Sequence, residues 1–129
     1  MIFALHGNIL VGWDGTGKHE IISKVAKNLY YLSDDKVFFK ETHDHRYGEA
    51  MVEHSKIFLV ECLFGSFKTN KIYEDKDQRA EILNFGVDNT RERLIVLTGI
   101  KNQKGRRDKF ITLYDIKTEH ILYYIRIEN

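Results

Sequence analysis

Apolar positions along the chain follow two rhythms. Five segments are continuous or nearly continuous apolar runs closed by turn residues: "NILVGW" (8–13), "KVFFK" (36–40), "KIFLVECLF" (56–64), "RLIVLTGI" (93–100) and "HILYYIRI" (120–127). Runs of this length, rich in β-branched and aromatic residues, predict strands, and the most apolar of them predict strands buried on both faces. Between the runs the spacing changes. Ile21, Ile22, Val25, Ala26, Leu29 and Tyr30 stand at helical intervals with polar residues between them, which predicts an amphipathic helix over 18–30. The same reasoning predicts helices at 46–54, where Tyr47, Ala50, Met51 and His54 share a side, at 76–87 and at 107–119. With no proline in the chain, boundaries rest on "HGN", "GTG", "SDD", "GVDN" and "KNQKG".

Strands alternating with helices predict an α/β fold. The expectation is a single three-layer domain over 1–129, with a mostly parallel five-stranded sheet and helices on both faces. Residues 9–12, 57–62 and 94–98 are expected to be neighbouring parallel strands. A chain of 129 residues suits one core, and neither a repeat nor a linker divides it.

Charge and cysteine content narrow the classes only slightly. A formal charge of +1 gives no global attraction to nucleic acid or to an acidic surface, so local clusters must carry any such role. The single cysteine, Cys62, lies in an apolar run, which suits a reducing cytoplasm. No apolar run approaches the ~20 residues of a membrane-spanning helix. The expectation is a cytoplasmic protein without membrane contact.

The strongest candidate chemistry lies in "ILVGWDGTGKHEI" (9–21), where Gly12-x-x-x-x-Gly17-Lys18 stands between a predicted strand and a predicted helix. In that setting the backbone amides of Gly12, Trp13, Asp14, Gly15, Thr16, Gly17 and Lys18 can encircle phosphate oxygens. The helix N-terminus and the Lys18 ammonium then add positive charge. His19 follows, where a serine or threonine hydroxyl would ligate Mg²⁺.

The stretch "ILVGWDGTGKHEIISKVAKNL" resembles the opening of thymidylate kinases and phage deoxynucleoside monophosphate kinases. Gly12, Asp14, Gly15, Gly17 and Lys18 match their G-x-D-G-x-G-K-[ST] loop. Beyond residue 32 the likeness is one of pattern: "KIFLVECLFGSF" stands where such kinases have a strand ending in Asp-Arg, and "KGRRDKF" stands near their arginine-bearing lid. The resemblance implies a reduced, virus-encoded P-loop nucleotide kinase that moves the γ-phosphoryl of ATP onto a nucleotide with Mg²⁺. In that scheme Lys18 holds phosphate, Arg106 and Arg107 stabilise charge, and Glu61 with His19 or Asp14 organises the metal. The departures are His19 for the hydroxyl and Cys62 for the arginine. Imidazole is a poor magnesium ligand.

Other clusters have plainer alternatives. His43-x-His45 on an extended segment places both imidazoles on one face, able to chelate zinc if His6, His54, His120 or a carboxylate completes the set. A polar surface loop explains the same residues. Lys101, Lys104, Arg106, Arg107 and Lys109 form a basic loop that serves a phosphate lid, a nucleic-acid backbone or simple solvation. The aromatics of "LYYIRI" fit a core or the rim of a partner surface. Three functions therefore stand: a nucleotide-binding kinase, a catalytically inactive P-loop fold that binds a protein partner such as a host protein, and a small nucleic-acid-binding or nuclease-like protein.

Overall fold

A computed structural model of the chain describes residues 2–33, 36–88, 90 and 92–127. Among these residues there is no helix, and eleven strands form three sheets. The first sheet holds β1 (Ile2–His6), β2 (Ile9–Trp13) and β3 (His19–Ser23). The second holds β4 (Ala26–Ser33), β5 (Lys36–Tyr47), β6 (Ala50–Leu63) and β7 (Ser66–Glu74). The third holds β8 (Glu81–Val87), β9 (Arg93–Lys101), β10 (Arg107–Asp115) and β11 (His120–Ile127). In each sheet the strands lie side by side in chain order, as in a meander.

The expected α/β architecture is therefore overturned. The runs at 9–12, 57–62 and 94–98 are strands, but each belongs to a different sheet, and the pairings described are antiparallel. Residues 18–30, expected as a helix, carry β3 and β4. Residues 46–54 carry the β5–β6 turn and the start of β6, residues 76–87 a turn and β8, and residues 107–119 carry β10 and a turn. The physical reason is local. Ile21, Ile22 and Val25 are β-branched residues that lose rotamer freedom in a helix. Their near-helical spacing arises where two strands meet at Lys24 and Val25, with a register shift between Leu10 and Val11 across the β2–β3 pair. The P-loop kinase-like fold falls with the helix that was to follow the loop.

The chain divides into two compact units. The first comprises 1–43 and 56–74, and the second 44–55 and 75–129. In the first unit, Phe3, Leu10, Ala26, Val37, Phe39 and Val60 are buried together, with Ile22, Leu29, Phe58 and Phe67 packed around them. Phe67 stands edge-on to Phe3 at 5.6 Å. Gly12 makes room for that ring, because a Cβ there would lie 2.6 Å from it. In the second unit Ile82, Leu94 and Val96 are fully buried, and Ser55 Oγ accepts a 3.0 Å hydrogen bond from the Ile82 amide.

Candidate interaction surface

The glycine-rich loop is a hairpin turn. Trp13 pairs with His19 across β2 and β3, and the Asp14 amide donates to the Lys18 carbonyl at 3.2 Å. Asp14 Oδ1 accepts from both the amide and the hydroxyl of Thr16 at 2.8 Å, and these bonds lower the Asp14 pKa. Gly15 and Gly17 adopt φ of 90° and 99°, the left-handed geometry that lets five residues reverse a strand. Gly15 and Gly17 of the kinase motif are thus turn glycines, while Gly12 lies within β2. Asp14, Gly17, Lys18 and His19 do line one open cleft of about 370 Å³, together with Glu20, Gly65 and Phe67. No helix N-terminus points into it.

The other predicted site residues are committed elsewhere. Glu61 lies opposite Lys68 on β7 and sits 3.7 Å from Lys36 Nζ. Arg106 ends the β9–β10 turn, where its amide donates to Asn102 Oδ1. Arg107 pairs with Glu81 at 2.8 Å. Lys18 and Glu61 belong to the first unit, and Arg106 and Arg107 to the second. His43 stands 3.5 Å from Glu41, and the His45 ring is 6.3 Å from that of His54. Among the described residues no group of three or more His, Cys, Asp or Glu is arranged to hold a metal ion.

A feature signalled in the sequence only by the aromatics of "LYYIRI" dominates the third sheet. Its register aligns Ile95, Leu113 and Tyr123 in one row across β9, β10 and β11, and Leu97, Ile111 and Ile125 in the next. Directly opposed residues in antiparallel strands share a face, so these six apolar side chains form one patch. Ile95, Tyr123 and Ile125 are 51%, 58% and 39% exposed, and the other three are half-buried. The opposite face is closed over β9 and β10, where Leu94, Val96, Thr98 and Thr112 are buried, while on the edge strand β11 Ile121 and Tyr124 are each 51% exposed. Above the patch lie Arg93 and Asp115, opposed in register; below it lie Gly99, Lys109 and Ile127. The Thr118 backbone amide donates to Asp115 Oδ1 at 2.9 Å and is the largest influence lowering the Asp115 pKa. Lys109 has no acidic partner among the described residues.

The closed face borders a cleft of about 630 Å³ within the second unit, lined in part by Tyr47, Met51, Asp77, Arg79, Phe110 and Tyr124. Arg79 grips Asp77 through two bonds of 3.0 and 2.8 Å and lies 5.3 Å over the Tyr47 ring. That grip lowers the Asp77 pKa. Tyr124 stacks on Phe110 at 5.3 Å, and burial followed by the nearby Asp75 and Asp77 raises its hydroxyl pKa. The Asp-x-Arg spacing within "DKDQR" was the available sequence signal for this grip.

No protein-family model, curated protein or solved structure matches the chain. Among the described residues no helix is long and apolar enough to cross a membrane.

Proposed function

We propose that the chain is a protein-binding module and that the outer face of its third sheet is the binding surface. The observation that carries this is the two-row patch of Ile95, Leu113, Tyr123, Leu97, Ile111 and Ile125, exposed or half-buried across three paired strands. Antiparallel sheets with one solvated face normally carry polar residues on it. A contiguous apolar face signals a surface that another polypeptide covers. The phosphate cradle that phosphoryl transfer calls for needs a helix where β3 stands.

The test replaces Tyr123 with a benzophenone amino acid and irradiates the folded protein in cell extract. Covalent adducts to polypeptide are expected, and they should disappear when Ile95→Lys and Ile111→Lys are added. Adducts to nucleic acid, or none, would remove the binding role from this face.

A further inference from the structure

We propose, resting on the binding surface assigned above, that its partner is a second copy of this chain. Two copies pack the outer faces of their third sheets together about a two-fold axis level with Thr112 and perpendicular to the strands. The outward residues of β10 read Lys109, Ile111, Leu113 and Asp115, a cation and an anion flanking two apolar residues. Such an axis reverses the strand direction. It sets Lys109 against Asp115 of the partner subunit, and Ile111 against the partner's Leu113, twice over.

The neighbouring strands obey the same symmetry. Thr112 lies opposite Val96 on β9 and Tyr124 on β11. The axis therefore brings Ile95 over the partner's Leu97, Tyr123 over the partner's Ile125, and Arg93 over the partner's Gly99. The six apolar residues of the patch meet one another, the flanking Ile127 meets the partner's His120, and neither Lys109 nor Asp115 meets a like charge. An axis parallel to the strands would instead bring the Asp115 level of one copy to that of the other. Face-to-face packing of aligned sheets, about 10 Å apart, is a standard solution for two such surfaces.

The area is sufficient for a reversible dimer. With roughly 200 Å² for a fully exposed side chain of this size, the six apolar residues offer on the order of 400 Å² per copy. With Arg93, Lys109, Asp115 and Ile127 at the flanks, two copies reach ~1,000 Å², the lower range of specific interfaces.

Analytical ultracentrifugation of the intact chain over a concentration series tests this, with far-UV circular dichroism confirming that each variant is folded. The wild type should pass from the 15.2 kDa chain to twice that mass and no further. Lys109→Asp and Asp115→Lys should each weaken association at least tenfold. The double variant Lys109→Asp/Asp115→Lys should recover to within a few-fold of wild type, which loss of the Asp115–Thr118 bond would not allow. A wild type that stays monomeric at ~0.5 mM, or single variants that dimerise like wild type, overturns the self-association. Growth beyond the dimer overturns it as well, because it signals a head-to-tail contact between unlike faces. A monomer whose residue 123 still captures a different polypeptide overturns the second copy as partner and leaves the binding surface standing. A monomer that captures nothing removes both.

Discussion

β6 and β9 are written in nearly the same language and are treated differently by the fold. Both are interior strands of four-stranded meanders, and both carry long apolar runs, "KIFLVECLF" and "RLIVLTGI". In β6, residues 57–62 are buried or half-buried without exception. In β9, Leu94 and Val96 are fully buried while Ile95, between them, is half in water. A strand apolar on both sides has been selected to be covered on both sides. Residues 57–62 of β6 meet that condition within the chain, and Ile95 of β9 meets it only when something else arrives. The contrast teaches that an apolar run records the environment of the working assembly, which can be larger than one folded chain.

The largest expected effect is a core truncation that separates the two strands. Ile57 is fully buried, so Ile57→Ala should cost about 3 kcal/mol through lost transfer energy and a cavity. Ile95→Ala, measured at low protein concentration, should cost under ~1 kcal/mol. Urea denaturation of both variants checks this; equal losses would mean that β9 is covered within the monomer.

Next comes Thr112, which marks the middle of the closed face opposite the proposed axis. Its hydroxyl is buried with no hydrogen-bond partner among the described residues. Thr112→Val should therefore stabilise the third sheet, by about 1 kcal/mol, because an unpaired buried hydroxyl costs about that much. A lower thermal midpoint for this variant would show that the hydroxyl has a partner such as a buried water.

Acid should act on the outer face through Asp115. Its pKa is lowered in the folded chain, so the carboxylate's contribution is complete above the ordinary value of ~3.9 and is lost as pH falls through the lowered folded value. Dimerisation, which starts from the folded monomer, should weaken only as pH falls through that lowered value, since a protonated Asp115 no longer attracts the partner's Lys109. A sedimentation series from pH 6 to pH 3 should show this decline in wild type and a flatter profile in Asp115→Asn. Identical profiles would remove Asp115 from the contact.

The smallest effect belongs to Arg126, whose exposed side chain lies 3.0 Å from Asp108. Arg126→Ala should change stability by less than ~1 kcal/mol, as exposed ion pairs do. A larger loss in denaturation would mean that β11 is anchored by its charges and not by its pairing with β10.

The sequence announced some of this and hid the rest for identifiable reasons. Residues 9–13, 36–40, 57–63, 93–100 and 120–127 lie within strands as expected, because runs of Val, Ile, Phe and Tyr satisfy a pleated surface wherever it lies. The helical spacing at 107–119 misled because Phe110, Leu113 and Tyr114 come from both faces of one half-buried strand. A strand with apolar residues on both sides loses its period-two signature. The phosphate loop misled more deeply. Gly15, Gly17 and Asp14 suit a hairpin turn as well as a phosphate cradle, and only the element after the loop separates the two. The docking face was legible in part: "RLIVLTGI" and "LYYIRI" showed continuous apolar character. Which side stayed open depended on register, through the Leu113–Tyr123 and Ile111–Ile125 pairs.

Methyl NMR with a soluble paramagnetic probe tests the central claim most directly, by reading the solvent access of individual isoleucines as protein concentration rises. Ile95 and Ile125 lie on the proposed dimer face, and Ile21, on the first sheet, is 54% exposed and serves as the control. The expected result is strong relaxation of all three in dilute solution, then progressive protection of Ile95 and Ile125 while Ile21 stays accessible. If Ile95 remains as accessible as Ile21 at every concentration, no second copy covers the third sheet and the account fails.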